Sequence, residues 1–355
     1  MPTLRDVAAA CGVSPATVSK ALNNAPDVGQ ETAQRIRQRA KELGYHPNAV
    51  ARTLKTNRSY SIGVLFEDEM HSGLTHEFFS SVLDALKNGV ESRGYDVTFI
   101  SKNLGAASMS YLDHCRYRNC DGVVIANVDF RDPSVAELVA GIPAVTIDYV
   151  FDGTSAVMSD NARGMRELVT YVYNQGHRDL ALIHGEETAV TKVRMASFYR
   201  TCRDLGITVR QDLAIRGQFN NPDVCGRVTR SILERPDRPT CIFYPDDIAL
   251  LGGMTEIERW GLRVPEDISV VGFDGIKLSR FLRPELTTLR QDTQTMGAEA
   301  ARLLTQAIEE NKAFMPQVVR VPGSLQPGGT VSRLQSHSAG SDRQETVLSA
   351  FKRSV

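Results

Sequence analysis

From residue 61 onward the chain repeats one alternation, a short run that is apolar throughout followed by a longer amphipathic stretch. The runs are SIGVLF (61–66), DGVVIA (121–126), IPAVTID (142–148), DLALIHG (179–185), TCIFY (240–244) and ISVVGFD (268–274). Strands without apolar–polar alternation are covered on both faces, the condition of a parallel sheet held between helix layers. The stretches between them fit. Residues 77–93 place Phe78, Phe79, Val82, Leu83, Leu86 and Val90 on one side, and further helices are expected near 109–118, 133–140, 161–175, 192–205, 222–234 and 247–260. GYDVTFIS and a run near 213–216 add strands. The series pauses near 150–160, which divides it into two successive α/β halves. TTLRQ (287–291), a helix over 293–310 and a strand near 317–321 are expected to return to the first half. Lobe 1 then spans about 61–158 plus 290–320, and lobe 2 about 159–289 plus 321–334. Several chain crossings between two lobes make a hinge, with a cleft beside it.

The first 60 residues obey a different rule. Residues 4–23, LRDVAAACGVSPATVSKALN, read as two short helices joined by a tight turn. Val7, Ala8 and Cys11 line the first helix, over 4–11. Gly12 ends it, because glycine takes the left-handed backbone region without steric cost. Ser14 is an N-cap, Pro15 suits the first helical position, and Val18, Ala21 and Leu22 give the second helix its apolar face. This is a helix-turn-helix, whose second helix lies in the major groove of DNA. The alternative is an ordinary helical hairpin at the edge of an enzyme. A third helix over 30–43 carries Ala33, Ile36, Ala40 and Leu43 toward the first two. Arg35, Arg37, Arg39 and Lys41 are expected to form a solvated face. Pro47 breaks the pattern, and Asn48 can cap one short helix, AVARTLK (49–55), too short to be stable alone in water. A polar linker, 56–61, follows.

Charge separates the two regions. The chain carries a net −1, but residues 1–60 hold nine Lys/Arg against four Asp/Glu, so the head is +5 and the remainder −6. A basic head on a mildly acidic body suits a phosphate-backbone partner for the head alone. Cysteines 11, 115, 120, 202, 225 and 241 are scattered without CxxC or flanking His pairs, which argues for reduced cytoplasmic thiols and against a zinc site or disulfide framework. No apolar run approaches a membrane span, and MPTLRDVAAA is not a secretory signal. The polar, Ser-rich tail 335–355 is expected to be disordered.

The stretches TLRDVAAACGVSPATVSKALN, VGQETAQRIRQRAKELGYHPN, AVARTLK and SIGVLF, in that order, resemble the lactose/galactose repressor family of bacterial regulators. DNARGMRELVTYVYNQGHRDLALIHG, RMASFYRTCRDLGI, GLRVPEDISVVGFD and LTTLRQDTQTMGAEAARLL are similar to the same family's core, so the likeness runs over 3–334. The resemblance implies a small all-α helix-turn-helix DNA-binding domain over 1–47 and a hinge helix with linker over 48–60. It implies an α/β core over 61–334, like a type I periplasmic sugar-binding protein, with effector-binding and dimerisation roles. The expected partners are a palindromic double-stranded operator, a second copy of the chain and a small polar effector, a sugar or sugar derivative. No cofactor, metal or membrane is implied.

Carried onto this sequence, the resemblance places Pro15, Ala16 and Lys20 where the recognition helix reads bases, and Thr17 and Ser19 where hydroxyls can approach phosphates. Lys20 can donate to guanine O6/N7 as a point charge, whereas Pro15 and Ala16 can make only apolar contacts. Asn48 caps the hinge helix, and Leu54 matches the leucine that wedges between base steps; packing at the dimer seam is its other reading. In the core, Arg194 matches an effector-contacting arginine, Asp246 and Asp274 cleft carboxylates, and Phe219 a stacking aromatic. Asp148 and Gln291 lie at strand ends near the crossings. Asp246 and Asp274 can instead be helix caps or loop carboxylates, and Phe78 and Phe79 are read as core rather than ligand contacts. Arginine, carboxylates and an aromatic face are the set a sugar ring needs. The sequence departs from the family at EDEMHSGLTHEFF (67–79), where a shorter polar loop ending in Asn-Pro is expected. An enzyme is the rival class, but GxGxxG, GxxxxGK[ST], GxSxG and HExxH are absent. A free-standing sugar-binding protein would carry a secretion signal and no basic head.

Overall fold

The computed structural model describes residues 2–22, 25–46, 53, 58–67, 73–104, 107–310 and 313–334. In the head, α1 (Leu4–Cys11), α2 (Pro15–Leu22) and α3 (Gln30–Glu42) enclose Val7, Ala8, Val18, Ala21, Ala33, Ile36 and Ala40. Thr3 and Asp6 form a capping box that satisfies the first orphan amides of α1. Gly12 turns the chain at φ 65°, and the Ser14 hydroxyl caps α2 by accepting from the Thr17 N–H at 3.1 Å. Two expectations for α3 differ. Leu43 is the C-cap and 40 % exposed, outside the core stripe. Arg35 and Arg37 reach the carbonyls of Cys11 and Ala21, each at 3.5 Å, rather than forming a purely solvated face. A guanidinium there complements the negative ends of α1 and α2. Of the expected hinge helix only Thr53 is described, in helical conformation; Asn48, Leu54 and the tail 335–355 lie outside the described residues.

The core begins with β1 (Ser61–Phe66), α4 (Glu77–Glu91) and β2 (Asp96–Ile100), then a small hairpin of β3 (Asn103–Leu104) and β4 (Ala107–Ser108). It continues through α5 (Tyr111–Tyr117), β5 (Gly122–Ala126), α6 (Pro133–Gly141), β6 (Ala144–Ile147) and β7 (Ser155–Ser159). The second half holds α7 (Asn161–Asn174), β8 (Leu180–His184), α8 (Ala189–Asp204), β9 (Ala214–Arg216) and α9 (Pro222–Leu233). There follow β10 (Cys241–Phe243), α10 (Asp247–Arg259), β11 (Ser269–Val271), β12 (Thr288–Arg290), α11 (Thr293–Glu310), β13 (Val318–Val321) and β14 (Ser324–Gln326). A six-stranded parallel sheet runs β13-β7-β6-β5-β1-β2, and a four-stranded parallel sheet runs β11-β10-β8-β9.

Both sheets are covered on both faces, and the two-residue period of a strand assigns the residues. In β5, Val124 and Ala126 join the layer of α4 and α11, while Val123 and Ile125 face α5 and α6. In β10, Cys241 and Phe243 face α7 and α8, and Ile242 faces α9 and α10. The pause at 150–160 is a strand, β7. Its connection from β6 contains no helix, so the strand–helix rhythm cannot announce it, and its ends are buried serines rather than apolar residues.

Among the described residues the chain passes between the lobes three times: at 159–161, 291–293 and 322–323. The first and third crossings are tied together, Asp160 N–H donating to Val321 O at 2.8 Å. Lobe 2 owes its density partly to Gly252 on α10, where an added Cβ would fall 1.8 Å from the Pro222 carbonyl oxygen at the start of α9. Gly→Ala normally favours a helix by about 1 kcal/mol. Here Gly252→Ala should lower stability by about 1–3 kcal/mol through overpacking, read as a lower urea midpoint.

Candidate functional site

On the head, Pro15, Ala16 and Lys20 are exposed on one side of α2, with Thr17 and Ser19 half-buried beside them and Val18 turned into the core. Lys20 is engaged in an exposed ion pair with Asp27, whose carboxyl this hydrogen bond holds below its ordinary range. A base or phosphate contact by Lys20 therefore exchanges one partner for another.

The second site lies where the strands of both sheets point their carboxyl ends at one another, the place where open α/β sheets bind ligands. Asp148 follows β6, Phe219 follows β9, Asp246 follows β10, Asp274 follows β11 and Gln291 follows β12, and all five line one cavity of about 760 Å³ including its mouth. Arg194 enters the same cavity from α8. The structure thus brings together the six core residues singled out in the sequence.

Arg194 is almost wholly buried, and three sets of contacts hold its plane. Nε donates to Asn161 Oδ1 at 2.7 Å, Nη1 donates to Pro245 O at 2.8 Å, and the guanidinium carbon lies 3.5 Å from the centre of the Phe273 ring. Nη2 stands 4.0 Å from Asp274 Oδ1. Burial lowers the Arg194 pKa, while the charges of Asp274, Asp148 and Asp246 support its proton. Asp274 sits at φ 102° and accepts from Gln291 Nε2 at 2.6 Å, so one lobe's carboxylate is clasped by a side chain at the crossing.

Asp246 is the N-cap of α10: Oδ1 accepts from Ala249 N–H and Oδ2 from Asn220 N–H, both at 2.7 Å. Capping was its alternative reading, and the cap also faces the cavity. Burial and then the Asp274 charge push its carboxyl up to about 7. Asp148, at φ 56°, accepts from Ser159 N–H at 2.8 Å, and burial pushes it up to about 6 against that bond.

The opposite wall is aromatic, and the sequence reading missed most of it. Phe130 and Tyr149 stack with centroids 4.2 Å apart and planes 3° from parallel. His76 and Phe78 each lie 4.9 Å from Phe79, and all three line the cavity. Phe78 and Phe79 are therefore cavity wall as well as core, a correction to their reading as core alone. They lie at the start of α4, which stands at the cleft. For Phe130 and Tyr149 the available signal was an aromatic a few residues past a strand end. Two buried polar atoms on this cavity, Gln291 Oε1 and His76 Nδ1, have no hydrogen-bond partner, so the cavity offers groups that a ligand can satisfy.

Comparison with known proteins decides the family. A model of bacterial regulatory proteins of the lacI family matches residues 3–48, and one of the periplasmic binding protein-like domain matches residues 169–331. The HTH-type transcriptional repressor PurR of Pectobacterium carotovorum is 31 % identical over 319 residues, covering 88 % of this chain and 92 % of that protein. The chain belongs to the lacI family.

This lacI-family protein has an equally similar relative in the repressor PurR of Escherichia coli, 31 % identical over 328 residues, with 90 % and 94 % of the two chains covered. The lac repressor dimer bound to operator and the anti-inducer ONPF superposes with a TM-score of 0.76 at 28 % identity, over 93 % of this chain and 99 % of that one. The complex of the regulator CelR with cellobiose gives 0.67 at 25 % identity, over 93 % and 100 %. The lacI-family chain is accordingly a DNA-binding transcriptional repressor with a periplasmic-binding-protein-like core suited to a small-molecule effector. Among its described residues no helix is long and apolar enough to cross a membrane.

Proposed function

We propose that this repressor binds a palindromic operator as a homodimer and that a small hydroxylated effector, a sugar or sugar derivative, sets its affinity from the cleft. Pro15, Ala16 and Lys20 read base edges, Thr17 and Ser19 approach phosphates, and the hinge helix with Asn48 and Leu54 orders on the minor groove. Arg194, Asp148, Asp246, Asp274 and Gln291 bond the effector's hydroxyls, and Phe219 covers an apolar ring face. One observation carries this reading: among the described residues, a single buried guanidinium, three carboxylates and several aromatic rings converge on one cavity between the lobes. A cavity with more carboxylates than cations favours hydroxyl donors over phosphate or carboxylate ligands. The cellobiose bound to the CelR relative has that character.

The test is a thermal-shift screen of neutral sugars, sugar phosphates and nucleobases. A true effector at about 100 times its Kd adds about 2.7 kcal/mol. The pH dependence gives a second readout. Unfolded Asp148 and Asp246 titrate near 3.8, but folded they titrate at about 6 and about 7. The folded, ligand-free core holds more protons in that window, so its stability falls as pH rises from about 4 to about 7. A ligand whose hydroxyls donate to these carboxylates prefers them ionised, so its affinity rises over the same window and binding releases protons. Calorimetry in buffers of different ionisation heat measures that release. Stabilisation by phosphates alone, or affinity that falls with rising pH, refutes the assignment.

A further inference from the structure

Cys115 and Cys120, scattered in the sequence reading, come together in the fold. After α5 the chain reverses through Asn119 at φ 53°, and Cys120 N–H donates to Cys115 O at 2.8 Å. That turn brings the two cysteine side chains into one apolar cluster, where each feels the other. Cys115 is fully buried with Leu65, Val123 and Ile125, and Cys120 packs against the same cluster while remaining partly exposed. The next residue is the clasp of the linker that leads from the DNA-binding head. Asp121 Oδ1 accepts from Ser59 N–H at 3.0 Å and Ser59 Oγ at 3.1 Å, and Oδ2 accepts from Tyr60 N–H at 2.8 Å. Tyr60 sits there at φ 57°, a conformation these bonds must hold.

We propose that Cys115 and Cys120 form a thiol–disulfide modification site, oxidised by peroxides, that shifts the Asp121 clasp and thereby alters operator binding. Cys120 is the attacking sulfur. It is the accessible one, Arg118 lies beside it, and the hydrogen bond from the Cys115 thiol holds its pKa down. That same contact, together with burial, raises Cys115. The Cys120 thiolate attacks a peroxide oxygen; an S–O bond forms, the O–O bond breaks, and the departing hydroxide takes a proton to become water. Cys115 then loses its proton as its sulfur attacks the sulfenic acid; the S–S bond forms, the S–O bond breaks, and a second water leaves. Two thiols give up two electrons and two protons, and one hydrogen peroxide becomes two waters. Closing the disulfide draws the two sulfurs to bonding distance. The residue beside Cys120 moves with it, and Ser59 and Tyr60 lose their fixed acceptor. The site is independent of the effector cleft.

The experiment uses the full chain treated with hydrogen peroxide. Non-reducing digestion with mass spectrometry should find Cys115 linked to Cys120, lighter by two hydrogen atoms. Operator Kd by fluorescence anisotropy should change by about fivefold or more, the scale of an allosteric coupling, and dithiothreitol should restore it. Cys115→Ser and Cys120→Ser should bind operator normally before treatment and lose the response to peroxide. Absence of the linkage overturns the proposal. So does a linkage that leaves operator affinity unchanged, or a peroxide effect that persists in both serine variants, which would assign it to another thiol such as Cys11. The wild-type linkage and its reversal decide the matter even if a serine variant folds poorly.

Discussion

Arg194→Met should abolish the effector response while the variant still binds operator in the absence of effector. The methionine keeps much of the side chain's apolar packing against Phe273 but removes every donor. Asn161 Oδ1 and Pro245 O lose their partner, and Asp148, Asp246 and Asp274 lose the guanidinium that stands among them. Removing one member of a buried charge set costs about 3–5 kcal/mol, so the core should also melt earlier, and binding must be measured below that transition. Asp274→Asn separates the two effects. It is isosteric, Gln291 Nε2 can still donate to the amide oxygen, and one negative charge leaves a cavity that has several. Its core should be at least as stable as the wild type, yet its affinity for a hydroxyl-donating effector should fall by about tenfold or more, since hydrogen bonds to charged groups are worth about 1.5–3 kcal/mol. Gel-shift titrations with and without effector read the response, and thermal melts read the core. Full effector response in both variants would move the ligand out of the cleft. By linkage, operator DNA must change effector affinity by the factor that effector changes operator affinity, with a coupling of about 1–3 kcal/mol.

Deleting residues 1–60 should eliminate operator binding and leave the core folded, melting somewhat earlier because Ser59 and Tyr60 no longer bond Asp121, as judged by gel shift and by thermal denaturation. The physical ground is the separation of charge, +5 on the head against −6 on the rest, together with a head that has its own apolar core. Within the head, Lys20→Ala should cost about 1–3 kcal/mol, concentrated at one base pair of each half-site if Lys20 reads a guanine. The Lys20–Asp27 pair is exposed on both sides, and solvent and salt screen such pairs so that they contribute little. Giving up that pair is thus a small penalty beside the energy of a guanine contact. A loss of equal size across all operator variants would instead make Lys20 a phosphate contact. Operator binding by the truncated core would remove the head from its assigned role altogether.

What the sequence determined by itself is what neighbours along the chain determine. The turn at Gly12 and the cap at Ser14 depend on residues within one helical turn, and both stand where their chemistry requires. Continuous apolar runs imply strands covered on both faces, whatever those faces meet, so two parallel sheets and the strand ends carrying Asp148, Asp246 and Asp274 were legible. The tertiary structure decided which surfaces meet. β7 lies between β6 and β13 although its serines announce no strand, because a strand's place is set by the pairing partners on either side. Phe78 looks like any apolar position of α4, and only the approach of the second lobe makes one side of it a cavity wall. The raised pKa values of Asp148 and Asp246 arise from burial by elements far away in sequence. Arg35 and Arg37 have the composition of a solvated face, yet they end on the carbonyls of α1 and α2. Periodicity reports which face of an element is apolar; the packing of distant elements decides what that face, and each polar group beside it, finally touches.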